Sequence, residues 1–276
     1  MRHLIVLALL VTCAAMPSAQ QSQGDAERRQ GLDQILDLYV RDGLVYYRAL
    51  KAERARLDGF LAALGNVSLE SATHDEQVAF WLNAYNAFVL KTVIDNYPIA
   101  QRTSTYPAHS IRQIPGAFER TPHRAAGRTV TLDQIEQTIL SGFRDPRLYF
   151  ALGRGAMGGG RLRSEAFAAG MLERQLSEVA AECINRSQCL ELDRAANQLT
   201  ISSIFSWRSG DFIASYASGA PETFATRSPI ERALLAFVQP KLLASERDFL
   251  AKNEFKVAYR PFDWSLNDLT GGRRGR

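Results

Sequence analysis

Gly153, Gly155 and Gly158 fit G-x-G-x-x-G within "LYFALGRGAMGGGRLRSEAFA" (148–168), between an apolar run and a helical pattern. On a strand-to-helix turn that spacing lets backbone N–H groups close on a pyrophosphate. Arg154, Arg161 and Arg163 interleave with the glycines, and guanidiniums beside a helix N-terminus attract anions. Two readings follow. One is a nucleotide or anion site built on Gly153, Arg154, Gly155, Gly158, Arg161 and Arg163; the other is a glycine-rich surface loop with solvated arginines. Position weakens the nucleotide reading, because a dinucleotide fold puts its fingerprint near the domain start with an acid about 20 residues beyond it. Here the loop is mid-chain and the next strand-ending acid is Asp193.

Glu136, in "TLDQIEQTIL", is a candidate cleft base or a carboxylate paired with an arginine. Asn83 and Asn86, three apart in "FWLNAYNAF", share one helix face, as a buried amide network or as the polar wall of a cleft. These three are the candidate catalytic residues. Asp211 and Asp263 stand beside aromatics, where capping is the ordinary role. His74, His109 and His123 are far apart in polar or loop contexts, so they read as surface histidines, and neither a metal nor a cofactor is expected. Ser164 and Ser202 have no nearby base in the chain, and G-x-S-x-G does not occur. Cys183 and Cys189, spaced C-x5-C, predict a disulfide in an oxidising compartment, with two free buried thiols as the alternative.

These residues need a frame. Apolar spacing predicts helices through "GLDQILDLYV", "RARLDGFLAALGNV" (stopped at Gly65) and "DEQVAFWLNAYNAFVLKTVIDNYP", the last apolar on most faces and ending before Pro98. "LVYYRAL" closes the first of these as an extended or turn segment. The proline-bearing stretch 99–127 reads as a long surface connection or a short two-stranded excursion. "RTVTLDQIEQTIL" reads as strand, Thr131 cap and helix. A strand, the glycine loop and a helix over "SEAFAAGMLERQLSEVAAEC" follow. "CLELD" and "QLTISSIF" read as two strands; helices at about 209–217 and 228–251 and a strand in "FKVAYRPFDW" complete the chain. The fold class is α+β: a single domain over 28–269, mainly helical in its first half, with a late, mostly antiparallel sheet.

Composition narrows the function. The chain is 46% apolar, which supports a packed core. Its net charge of +4 includes Arg2 and the tail arginines Arg273, Arg274 and Arg276; the body is neutral, which excludes a nucleic-acid face. Residues 1–19 read as a secretory signal peptide, with a cationic start and an apolar run too short for the roughly 20 residues of a membrane span. "LVTC" offers Cys13 as an alternative lipidation point. Residues 270–276 read as a basic solvated tail. The mature chain is expected to be periplasmic or secreted, with no transmembrane segment.

The runs "DGLVYYRAL", "AFWLNAYNAFVLKTVIDNYP", "SIRQIPGAF", "TLDQIEQTIL", "DPRLYFAL", "LTISSIFSWRSGDF" and "YRPFDWSLND", in this order, resemble the successive blocks of the bacterial domain of unknown function 547 family. The resemblance spans nearly the whole mature chain and implies an α+β core similar to the papain and transglutaminase type. It also implies a thiol nucleophile on a strand-to-helix turn, in a block resembling His-Phe-Ala-Leu, Asn-Cys-Ala-Ser, a second Cys with Pro, and Leu-Arg. This chain departs from that block. Gly153 stands where Asn is usual, Arg154 where the first Cys is, Gly159 where the second is and Tyr149 where His is, while Gln137 replaces another frequent His. An arginine is neither a thiol nucleophile nor, at its pKa, a general base. The expected function is a non-catalytic binding or scaffold protein for a peptide or a small anionic molecule. The alternatives are a hydrolase or transferase with a non-thiol site, and a nucleotide or anion binder at the glycine loop.

Overall fold

A computed structural model describes residues 18–270; the expected leader up to residue 17, with Cys13, and the tail from residue 271 lie outside the described residues. Helix α1 (Ser18–Tyr39) buries Leu32, Ile35, Leu36 and Tyr39, the helical stripe of its sequence. A two-residue hairpin, β1 (Val40–Arg41) and β2 (Leu44–Val45), turns the chain at Asp42 and Gly43, both with positive φ. Helices α2 (Tyr47–Ala52) and α3 (Ala55–Leu64) follow.

The central helix α4 (His74–Asn96) starts where Thr73 accepts from the backbone N–H of Glu76, whose carboxylate bonds back to the Thr73 N–H. This reciprocal cap satisfies donors that a helix start leaves unpaired. Helix α4 buries residues on every face, from Val78 to Ile94, which makes it the axis against which α2 and α3 pack.

A second hairpin, β3 (His123–Ala125) and β4 (Arg128–Val130), fulfils the two-stranded alternative, yet the preceding stretch is not all surface, since Ile111, Ile114 and Phe118 enter the core. Thr131 then caps α5 (Leu132–Gln134), which runs on as a π-helical turn over Ile135–Leu140.

The expected strand before the glycine loop is absent. Asp145 accepts from the Arg147 N–H and Pro146 opens a 3-10 turn, Pro146–Phe150; proline's fixed φ suits that first position. The expected helix from Ser164 starts later, as α6 (Leu172–Ile184). The N-terminus of α6 is therefore eight residues further along the chain than expected beside Arg161 and Arg163.

The late sheet is mixed. β5 (Leu190–Asp193) pairs antiparallel with β6 (Gln198–Ser202), whereas β7 (Lys256–Arg260) pairs parallel with β6. The crossover between β6 and β7 contains α7 (Ser203–Trp207), α8 (Ser209–Tyr216), α9 (Pro229–Val238) and α10 (Ala244–Ala251). The helix expected over 228–251 is divided by a 3-10 turn containing Pro240, a residue that removes a helix hydrogen bond. One hydrophobic cluster runs from Leu32 to Phe255 and joins both halves. Among the described residues no helix is long and apolar enough to cross a membrane.

Candidate functional site

Asn83 and Asn86 face the glycine loop from α4. Asn86 donates Nδ2–H to the Ala151 carbonyl at 3.0 Å and accepts the Gly153 N–H at 2.9 Å. Asn83 treats Phe167 the same way, donating to its carbonyl at 2.9 Å and accepting its N–H at 2.8 Å. Each amide thus replaces a strand partner, and together they hold the chain on both sides of the loop.

The glycines serve close packing. A Cβ on Gly158 would meet the Asp263 nitrogen at 2.5 Å, and one on Gly160 would collide with the Phe150 carbonyl. The loop runs against the C-terminal segment, where Met157 and Gly158 donate to the carbonyls of Ser265 and Asp263 at 2.9 and 2.8 Å. That segment continues past β2, with Val45 donating to Asn267 at 2.8 Å. The loop's backbone thus meets Phe150 and Asp263–Ser265, where a phosphate cradle would present it to a ligand.

Between the two amide clamps the chain passes through Arg154 and Gly155 at φ +44° and +61°, a left-handed turn that costs a non-glycine residue of order 1–3 kcal/mol. The Arg154 side chain is 2% exposed. It donates Nη2–H to Glu136 Oε1 at 2.7 Å, Nε–H to Oε2 at 3.2 Å and Nη1–H to the Tyr149 carbonyl at 2.9 Å. This is the fork geometry that only guanidinium offers a carboxylate. Glu136, on the π-helical turn, also accepts from Tyr85 Oη at 3.1 Å and Arg208 Nη2 at 3.2 Å. Burial alone would raise its pKa, but the charges and hydrogen bonds of Arg154 and Arg208 hold it below the usual carboxylate range. Burial opposes the charge on Arg154, and Glu136 more than offsets this. Burial and the neighbouring Glu136 push the Tyr85 hydroxyl well above the phenol range.

Arg154 and Arg208 meet at Glu136; Arg161 and Arg163 lie elsewhere. Arg161 pairs with Asp42, and Arg163 with Glu165 and Glu178 at 2.5 and 2.8 Å. The candidate arginines of the loop therefore have carboxylate partners of their own and do not converge. Cys183 and Cys189 form a disulfide with Cα atoms 5.4 Å apart. His123 is buried, contrary to its reading as a surface histidine, because β3 lays its ring on Phe88 with centroids 4.3 Å apart. Asp211 accepts from Tyr149 Oη, Asp263 from the Ser265 N–H, and Ser202 caps α7. Among the described residues no group of three or more His, Cys, Asp or Glu could hold a metal.

Above the Glu136–Arg154 pair a cleft of about 220 Å³ opens, walled by Arg112, Phe118, Asp133, Trp207, Arg208 and Trp264. The Arg112 guanidinium lies 4.2 Å from the Phe118 ring centroid and 4.5 Å from that of Trp264; Arg208 lies 4.1 Å from that of Tyr149. Such stacking favours cations over aromatic faces. Burial, then Glu119, raises the Asp133 carboxyl above its usual range. Sequence reasoning missed this wall, although "FSWRSG" puts Trp207 and Arg208 side by side and "YRPFDW" ends on Trp264. Residues 99–127, 203–208 and 260–266 converge only through the tertiary fold.

The fold and site define an α+β protein whose central helix clamps a glycine-rich loop onto a buried Glu–Arg pair under an aromatic cleft. Residues 69–184 match the model of the family described as "Protein of unknown function, DUF547". The matched stretch holds Asn83, Asn86, Glu136 and the loop; Trp207, Arg208 and Trp264 lie beyond it. No curated protein and no solved structure matches the chain.

Proposed function

We propose that the chain is an extracytoplasmic binding protein in which Arg154 occupies the position of a thiol nucleophile, and the cleft above it binds a ligand without chemical turnover. The observation that carries this reading is the saturation of Glu136 by Arg154, Tyr85 and Arg208. A carboxylate held ionised and fully engaged is a poor proton acceptor, and Arg154 offers no nucleophile. The leader-like start and the Cys183–Cys189 bond support an oxidising compartment. Arg112 and Arg208 stacked at the rim support the cleft, in preference to the glycine loop, as the place of binding.

The test is the thermal midpoint of the mature protein across sulfate, phosphate, nucleotides, carboxylates, short peptides and oligosaccharides at matched ionic strength. A ligand at one hundred times its Kd adds about 2.7 kcal/mol. A shift lost in Arg208→Ala and kept in Arg161→Ala supports the cleft; the reverse moves binding to the loop. One observation favours a hydrolase or transferase as a second reading: Asp133 lines the cleft with a raised pKa, as a general acid requires. Turnover abolished by Asp133→Asn would establish that reading and sink the first.

A further inference from the structure

The cleft balances its charges. Each guanidinium of the cleft is already engaged, Arg112 by Glu119 behind the wall and Arg154 and Arg208 by Glu136, and the Asp133 carboxylate adds a further negative group to the lining. A site for a phosphate or sulfate presents cations that no carboxylate has claimed, whereas every arginine of this lining is paired with one. Its unused capacity is of both kinds. The Arg112 Nε–H is buried without a partner, while among the described residues no hydrogen bond reaches the Asp133 carboxylate or the Gln137 side-chain amide. Free donors beside free acceptors suit hydroxyl groups, each of which donates one bond and accepts two.

The aromatic side of the cleft has a matching form. Trp207, Phe262 and Trp264 pack on one another as an aromatic cluster, with successive ring centroids 4.9 and 4.4 Å apart and planes tilted by 37° and 49°. Trp207 is 48% exposed, a large apolar area left in water. A flat, weakly polar C–H face gains by covering an indole ring, through buried apolar area and C–H contact with the π-cloud. A pyranose ring combines such a face with a girdle of hydroxyls. The volume of about 220 Å³ is below the roughly 300–1,000 Å³ of sites for drug-sized molecules, and so suits one ring.

Resting on the reading that this cleft is the binding site, we infer that its ligand is an uncharged saccharide, with one pyranose ring against Asp133 and Trp264 and the next ring on Trp207. The test presents the mature full chain to an array of neutral, uronic and sulfated glycans, and the strongest hit is titrated calorimetrically. The expected result is a neutral oligosaccharide whose affinity falls at least tenfold in Trp207→Ala and in Asp133→Asn. Trp207→Phe restores part of that loss. The thermal midpoint of Trp207→Ala stays near that of the parent, because the ring is half in water. Binding confined to uronic or sulfated glycans, or a sulfate shift lost in Arg208→Ala, keeps the cleft as the site and overturns the neutral saccharide. A neutral glycan held equally well by both variants places the sugar elsewhere and overturns it too. A silent array with no anion shift overturns the inference and the binding reading together.

Discussion

Arg154 with Glu136 and Arg147 with Glu173 are chemically the same pair, at 2.7 and 2.6 Å. Their surroundings differ. The first pair has side chains 2% and 8% exposed, the second 20% and 77%. In water the charges are solvated before and after pairing, so little is gained. In the core each charge needs the other, since an unpaired ion there loses its solvation outright. Geometry alone therefore does not rank ion pairs; burial does.

The sharpest way to break this comparison is Arg154→Ala, which strands Glu136 against Tyr85 and Arg208. Removing one member of a buried pair costs about 3–5 kcal/mol, read by chemical denaturation. The linked double variant Glu136→Gln with Arg154→Met removes both charges of the pair, keeps one amide oxygen to accept from Arg208 and turns the amide NH2 towards the Tyr85 oxygen as a donor. It should recover more than half of the loss. No recovery would mean that the left-handed turn at Arg154, not the charge, sets the cost.

His123 extends the comparison to a buried ionisable group whose Nε2 has no partner. Burial, then the Lys91 charge, lowers its pKa from 6.5 to about 4, so it stays neutral where the unfolded chain binds a proton. The unfolded state then takes up more protons between those values, and acid favours unfolding. Stability is full above pH 6.5, falls as the pH drops towards 4 and loses nothing more from this group below that. The total is on the order of 3 kcal/mol. Glu136, also held below its ordinary value, loses its contribution lower still, as the pH falls through its folded pKa. His123→Phe, which keeps the stack on Phe88, should flatten the upper window of a denaturation series and leave the lower one. An unchanged upper window would show that His123 is accessible to protons in the fold.

Asn86 is the uncharged counterpart, buried and bonded at both ends of its amide to the loop backbone. Asn86→Ala leaves the Ala151 carbonyl and the Gly153 N–H without that partner, a loss of about 2 kcal/mol. Amide hydrogen exchange at Gly153 should accelerate together with the fall in stability. A stability loss with unchanged exchange would assign the effect to the cavity and not to the clamp.

Helices α1, α3 and α4 and the Thr131 cap were legible because their periodicity and capping chemistry are local. The strand expected before the loop is absent for an equally physical reason. "LYFAL" has the composition of a strand, but Asp145 and Pro146 impose a 3-10 turn, and the side-chain amide of Asn86 takes the place of a neighbouring strand. The loop's glycines were visible, while their purpose, contact of Gly160 with Phe150 and of Gly158 with the distant Asp263, depends on how the chain folds back on itself. The Asn83–Asn86 face could be read from spacing, and the pairing of Glu136 with an arginine stood as one of two roles. Neither Arg208 as second partner nor the tryptophan wall could be read so, because no local pattern says which distant residues converge.

The smallest expected effect is the most exacting test of the opening comparison. Arg147 has better geometry than Arg154 by any count of bonds: it contacts both oxygens of Asp145 and both of Glu173, from 2.6 to 3.1 Å. It also ties the 3-10 turn before the loop to α6, where local unfolding would begin if the tie mattered. If bond number governed stability, Arg147→Ala would rival Arg154→Ala. Since Glu173 is mostly in water, its carboxylate loses little when the arginine leaves, and the expected cost is below about 1 kcal/mol. Added salt should shrink even that, as screening weakens an exposed pair and barely reaches a buried one. A salt-independent loss of several kcal/mol at Arg147 would make the tie to α6, and not burial of charge, the element that holds the loop in place.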